Sequence, residues 1–124
     1  MNLSWVQLGS LLMFLGVVLS AFGAHALKTK IAPEYMDVYK TAIFYHLIHA
    51  LALFIVAWLT TQSTDIKVQY AGLLFIVGIV LFSGTLYAIS ITGFKWLGMI
   101  TPLGGLAFLT GWAFLFLSHY QKLL

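Results

Sequence analysis

Residues 68–92 read VQYAGLLFIVGIVLFSGTLYAISIT, a run with no Asp, Glu, Lys or Arg. A helix needs about 20 apolar residues to cross the hydrocarbon core of a bilayer. This run therefore predicts a membrane-spanning helix. Three further runs, residues 3–27, 41–60 and 97–118, are equally free of those four residue types. The pattern predicts an all-α fold, a four-helix up-and-down transmembrane bundle that makes residues 1–124 one integral membrane domain.

Composition agrees. The chain is 62% hydrophobic and 7% charged, with a mean hydropathy of +1.03. Soluble domains carry about 25% charged residues, and the four runs leave no room for a separate soluble domain. The net charge of +3 comes from six lysines against three acids. There is no arginine and no basic run, so nucleic acid is not an expected partner. The lysines flank the runs, where their stems can reach the headgroups. Cysteine is absent, which excludes disulfides and thiolate metal sites. The first run ends in Ala24-His25-Ala26, a pattern that a signal peptidase could accept. Met1 to Gln7 has no lysine or arginine, so the basic region of a signal peptide is missing. The segment reads as the first transmembrane helix.

The links are short. Pro33, followed by Glu34 and Asp37, predicts that the second helix starts in the headgroups and enters the core near Thr41. Thr64-Asp65 reads as a turn and cap for the third helix. Four crossings put both termini on one side. Trp5, Trp58 and Tyr70 suit the interface at that end, and Tyr39, Tyr87 and Trp96 the opposite, loop-side interface. Lys28, Lys30, Lys40 and Lys95 lie loop-side against Lys67 and Lys122, which favours a cytoplasmic loop side.

Small residues mark contact faces. Gly9, Gly16 and Gly23 recur every seven residues, with Ser20 on the same stripe, and Gly16, Ser20 and Ala24 form a small-xxx-small ladder. Gly84, Gly104, Gly105 and Gly111 offer matching surfaces. In lipid, helices associate through close backbone packing, so these faces either close the bundle or form a homo-oligomer interface.

Polar residues gather in the loop-side half. His46 and His49 are three residues apart and are expected to share a face. His49 lies ~12 Å past Thr41. Ser83, Tyr87 and Ser90 form one stripe. Tyr45, Thr101 and His25 lie at the same end. Together they predict a polar pocket with His49 at its floor and Tyr87 and Thr101 in its wall. Three roles stay open for its histidines: hydrogen bonds that lock the bundle, a ligand or proton-relay site, or weak metal ligation through His25 and His49. Haem fits poorly, because His25 is superficial and His49 deep. No acid lies within the runs to complete a nucleophilic triad. No enzymatic activity, cofactor or stoichiometric metal is expected.

Gly23-Ala24-His25, Tyr45 with His49-Ala50-Leu51-Ala52, Leu81-Phe82-Ser83-Gly84 with Leu86-Tyr87, and Thr101-Pro102-Leu103-Gly104-Gly105 ending in Gly111-Trp112 form an ordered series. On these residues the chain resembles the domain-of-unknown-function 423 family of small bacterial inner-membrane proteins, to which the animal transmembrane protein 256 looks related. The resemblance covers nearly the whole chain. It implies a multi-pass inner-membrane protein and carries no activity, substrate or cofactor. It also implies that His46 stands where other members carry a different polar residue such as glutamine, and that basic residues in the C-terminal tail oppose a cytoplasmic loop side. The leading expectation is a non-enzymatic protein that packs against itself or a larger membrane complex, in contact with the lipid bilayer. The rival is a carrier or binder of a small molecule, lipid or ion in the polar pocket.

Overall fold

The computed structural model describes residues 3–119. Met1, Lys122 and Leu124, which enter the readings of termini and orientation, lie outside the described residues. Four helices carry the chain: α1 (Trp5–His25), α2 (Pro33–Gln62), α3 (Ile66–Thr92) and α4 (Lys95–Leu117). Each is long and apolar enough to cross a membrane. No strand occurs among the described residues. The protein is an all-α four-helix bundle of the multi-pass membrane type.

Local chemistry sets the helix ends. Ser4 and Gln7 form a reciprocal capping box that satisfies two free N–H groups of α1. Pro33 occupies the first turn of α2, where its missing N–H is not needed. Asp65 caps α3 by accepting the Lys67 N–H at 2.9 Å. Gly93 ends α3 in the left-handed region at φ +73°, and its N–H returns to Ile89 O at 2.8 Å. α4 opens with a 3-10 turn, Lys95–Met99, and becomes α-helical at Thr101.

α3 is not uniform. Residues Ile79–Ser83 form a π-helical turn in its middle. Such a turn interrupts the i→i+4 ladder and leaves carbonyls to be satisfied by other groups. The Thr85 hydroxyl lies 2.7 Å from Leu81 O and 3.0 Å from Phe82 O. Opposite the turn, Gly104 brings α4 against the α3 backbone. A Cβ on Gly104 would lie 2.3 Å from Phe82 N and 2.7 Å from Leu81 C. Neither atom can swing aside as a side chain could.

α1 buries only Gly9, Gly16 and Gly23, all on α2. A Cβ on Gly16 would come within 2.5 Å of Leu47, and one on Gly23 within 2.3 Å of the Tyr39 ring. α4 packs chiefly on α3, and α2 and α3 form the seam between the two pairs. The apolar core, including Leu53, Val56, Val68, Phe75 and Phe108, lies toward the α2–α3 link. At that end the Trp5 indole donates to Gln69 at 2.8 Å, the Ser63 hydroxyl donates to His119 O, and the His119 N–H donates to Asp65 at 2.8 Å. The start of α1, the α2–α3 link and the end of α4 thus meet at one end of the bundle.

Four sequence expectations are corrected. Gly84 seats no neighbouring helix, since its Cβ would meet only Ile79 O of its own helix, at an ordinary 3.8 Å. Gly105 has ordinary room, with Phe82 at 3.8 Å, so of the Gly104-Gly105 pair only the first requires glycine. Ser20 is exposed, because the seam on α2 follows the glycines and passes it by. Tyr39 does not reach lipid headgroups with its ring: the side chain is turned into the bundle, 2% exposed, and its hydroxyl donates to Leu19 O.

Gly104→Ala is expected to destabilise the bundle by about 1–3 kcal/mol, the usual cost of overpacking. Gly105→Ala should stay within about 0.5 kcal/mol of wild type, as mutations away from such contacts do. Unfolding titrations in mixed micelles measure both. A second expectation concerns pH. The N–H groups of Lys67 and His119 hold the Asp65 carboxyl down at about 2, against an ordinary value of 3.8. The unfolded chain therefore binds the proton more readily, and stability rises with pH across this window. The melting-temperature advantage of wild type over Asp65→Asn should be constant above about pH 4 and vanish as pH falls through about 2.

Candidate functional site

The polar residues of the loop-side half are drawn into separate hydrogen-bonded contacts. His46 is the most connected. It is buried, with Nε2 2.8 Å from Leu12 O on α1 and Nδ1 2.8 Å from the Tyr87 hydroxyl on α3. A carbonyl can only accept, so Nε2 carries the proton and Tyr87 donates to Nδ1. Gly16 lies beside this contact, where a Cβ would stand at an ordinary 3.4 Å from His46 Nε2 but only 2.5 Å from the Leu47 side chain. One imidazole on α2 thereby ties three helices together.

His49 turns toward α4. Its Nδ1 lies 2.8 Å from Tyr45 O, and its Nε2 accepts the Trp112 indole N–H at 3.0 Å. An indole can only donate and a carbonyl only accept, so His49 holds its proton on Nδ1, the opposite tautomer to His46. Its ring stacks on Phe108 at a centroid distance of 3.6 Å and an angle of 11°. Phe75 and Trp112 pack at 5.4 and 5.8 Å. Tyr45, 37% exposed, stacks beside the ring on the outer side.

Ser83 donates to Ala42 O on α2 at 2.8 Å. Ser90 is buried and returns to Leu86 O on its own helix. Thr101 meets Thr85 at 2.6 Å between hydroxyl oxygens. Among the described residues no buried side-chain nitrogen or oxygen lacks a partner.

This arrangement corrects the expected pocket. His46 and His49 do not share a neighbour set: one serves α1 and α3, the other α4. Tyr87 pairs with His46 and not with His49, and Thr101 pairs with Thr85. The stripe of Ser83 and Tyr87 does face α2, but as a seam and not as a cavity wall. His25 is exposed at the end of α1 while both His49 nitrogens are engaged, so the two share no site. No cluster of three His, Asp or Glu side chains with metal-binding geometry occurs among the described residues. Thr85 and Trp112 were not foreseen as partners, nor Gly72 and Gly78 as packing glycines. Gly72 seats the Trp5 ring and Gly78 seats Phe108.

An open groove of ≈ 750 Å³ lies instead between α1 and α2 at the loop end. Ser20, Gly23 and Ala24 form its α1 wall, and Ile43, Phe44 and Leu47 its inner α2 wall. Lys28, Asp37 and Lys40 stand at its mouth. The small residues Ser20 and Ala24 of the α1 ladder line this space.

Residues 19–105 match the profile of the family described as Protein of unknown function (DUF423). The chain is 46% identical over 120 residues to UPF0382 membrane protein YwdK of Bacillus subtilis (strain 168), covering 96% of this chain and 98% of that protein. It is 40% identical over 117 residues to UPF0382 membrane protein SH2409 of Staphylococcus haemolyticus (strain JCSC1435), covering 94% and 95%. UPF0382 membrane protein SAB0533 of Staphylococcus aureus (strain bovine RF122 / ET3-1) is also 40% identical over 117 residues, with the same coverage. No solved structure matches the chain.

The His46–Tyr87 contact can be isolated by a double-mutant cycle. With His46→Leu and Tyr87→Phe, a coupling energy of about 0.6 kcal/mol is expected, with about 1.7 kcal/mol as an upper bound for hydrogen bonds between membrane helices. Additive effects in unfolding titrations would mean that the two side chains do not interact.

Proposed function

The chain belongs to the DUF423 family of membrane proteins, and on that premise we propose that it has no chemistry of its own and acts by packing laterally against a second copy of itself. One observation carries the reading. The buried face of α1 follows its three glycines, and its outer ridge is uncovered: Phe14, Val18 and Phe22 are 65%, 47% and 48% exposed. These positions are one turn apart and form a single ridge, the surface that another helix can interdigitate with. The pairing of the buried polar side chains with partners inside the bundle suits a packing role. The proposal includes an inner-membrane location with the loop end in the cytoplasm. Lys28, Lys30, Lys40 and Lys95 at that end, against Lys67 at the other and Lys122 in the C-terminal tail of the sequence, support it.

The chain contains no cysteine, so introduced ones report without background. Phe14→Cys, Val18→Cys and Phe22→Cys should each form disulfide-linked dimers in native membranes, while Phe116→Cys on α4, 87% exposed, should not. Equal yields at both helices would mean random collision, and no dimer at α1 would end the proposal. An adduct to a different protein would assign the ridge to a larger complex and end the self-association reading.

A further inference from the structure

The loop-end groove has the layout of an amphiphile site, and we propose that it holds one anionic glycerophospholipid. Its volume of ≈ 750 Å³ lies within the roughly 300–1,000 Å³ typical of small-ligand sites. A second helix, about 10 Å across with its side chains, is a different shape of occupant. Polarity is graded along α2. Asp37 and Lys40 stand at the mouth, before the helix enters the core near Thr41. Ile43, Phe44 and Leu47 come next, the last ~10 Å deeper than Lys40. A charged mouth over an apolar trough fits a headgroup with the upper part of an acyl chain.

The charge selects the sign of the headgroup. Two lysines face one acid at the mouth, and Lys28 and Lys40 form no ion pair within 4.0 Å among the described residues. Their ammonium groups are free to meet a phosphate. The groove also opens sideways, since Ser20, Ala24 and Phe44 on its walls are exposed. A lipid can therefore enter from the bilayer plane without the bundle opening. The α1 ladder gains a purpose here: Ser20 and Ala24, small and exposed on the groove wall, keep the trough clear for a chain.

Native mass spectrometry of the whole protein, extracted in mild detergent and titrated with phosphatidylglycerol or phosphatidylcholine, tests this. One phosphatidylglycerol should bind at least tenfold more tightly than phosphatidylcholine. Lys28→Gln with Lys40→Gln should abolish that preference. Lys30→Gln with Lys95→Gln removes the same charge outside the groove and should leave it intact. Ala24→Trp should fill the trough and lower the affinity for both lipids, with the melting temperature of the exposed-site variant confirming that the fold survives. Equal loss in the two lysine double variants would reduce the effect to general surface charge and overturn the site. Displacement by millimolar inorganic phosphate would show a free-anion site and overturn the lipid. Equal binding of the two lipids would overturn it as well.

Discussion

Water does not reach the hydrocarbon core of a bilayer, so a hydroxyl or imidazole there must find its partner inside the protein. This chain sends two histidines, two serines, two threonines and two tyrosines, Tyr39 and Tyr87, into one half of its bundle, and the fold is set by where their hydrogen bonds go. α2 supplies the centre. From it His46 reaches α1 and α3, His49 reaches α4, and Ala42 O receives Ser83. The four helices are thereby tied through single side chains, while the main apolar core lies toward the other end.

Those bonds demand close approach, and glycine supplies it. Gly16 lets α1 seat on Leu47 of α2 beside the His46 bond, and Gly104 lets α4 touch α3 at the π turn. The turn and the glycine belong together. A π turn adds a residue, rotates the remainder of the helix by about 100° and bares carbonyls. Just past the turn the Thr85 hydroxyl bonds back to Leu81 O and Phe82 O, and Thr101 of α4 meets Thr85, so the π turn and the α3–α4 contact lie side by side.

Hydropathy alone made the four helices legible, because lipid tolerates only long uncharged runs. Pro33, Asp65 and Gly93 mark their ends for reasons confined to a few residues. Azimuth was less legible. Side chains three residues apart differ by about 60° around a helix, which groups them on an outer face. At the centre of a bundle the same angle sends His46 and His49 to different neighbours. Gly104 and Gly105 differ by about 100°, and nothing in their order tells which one meets a backbone. The π turn has no signal in the apolar run 79–83, so the pairing of Thr85 with Thr101 was hidden, and with it the absence of a shared wall for His49, Tyr87 and Thr101. The seven-residue glycine period of α1 was legible because α1 has a single contact face.

Nitrogen NMR of uniformly labelled protein in lipid bilayers reads the histidine rings directly. His46, donating to Leu12 O, is expected as the neutral Nε2–H tautomer, and His49, accepting from Trp112, as the neutral Nδ1–H tautomer, both unchanged through neutral pH. Two identical tautomers, rapid exchange between forms, or a doubly protonated ring at either position would contradict the hydrogen-bond pattern on which the bundle depends.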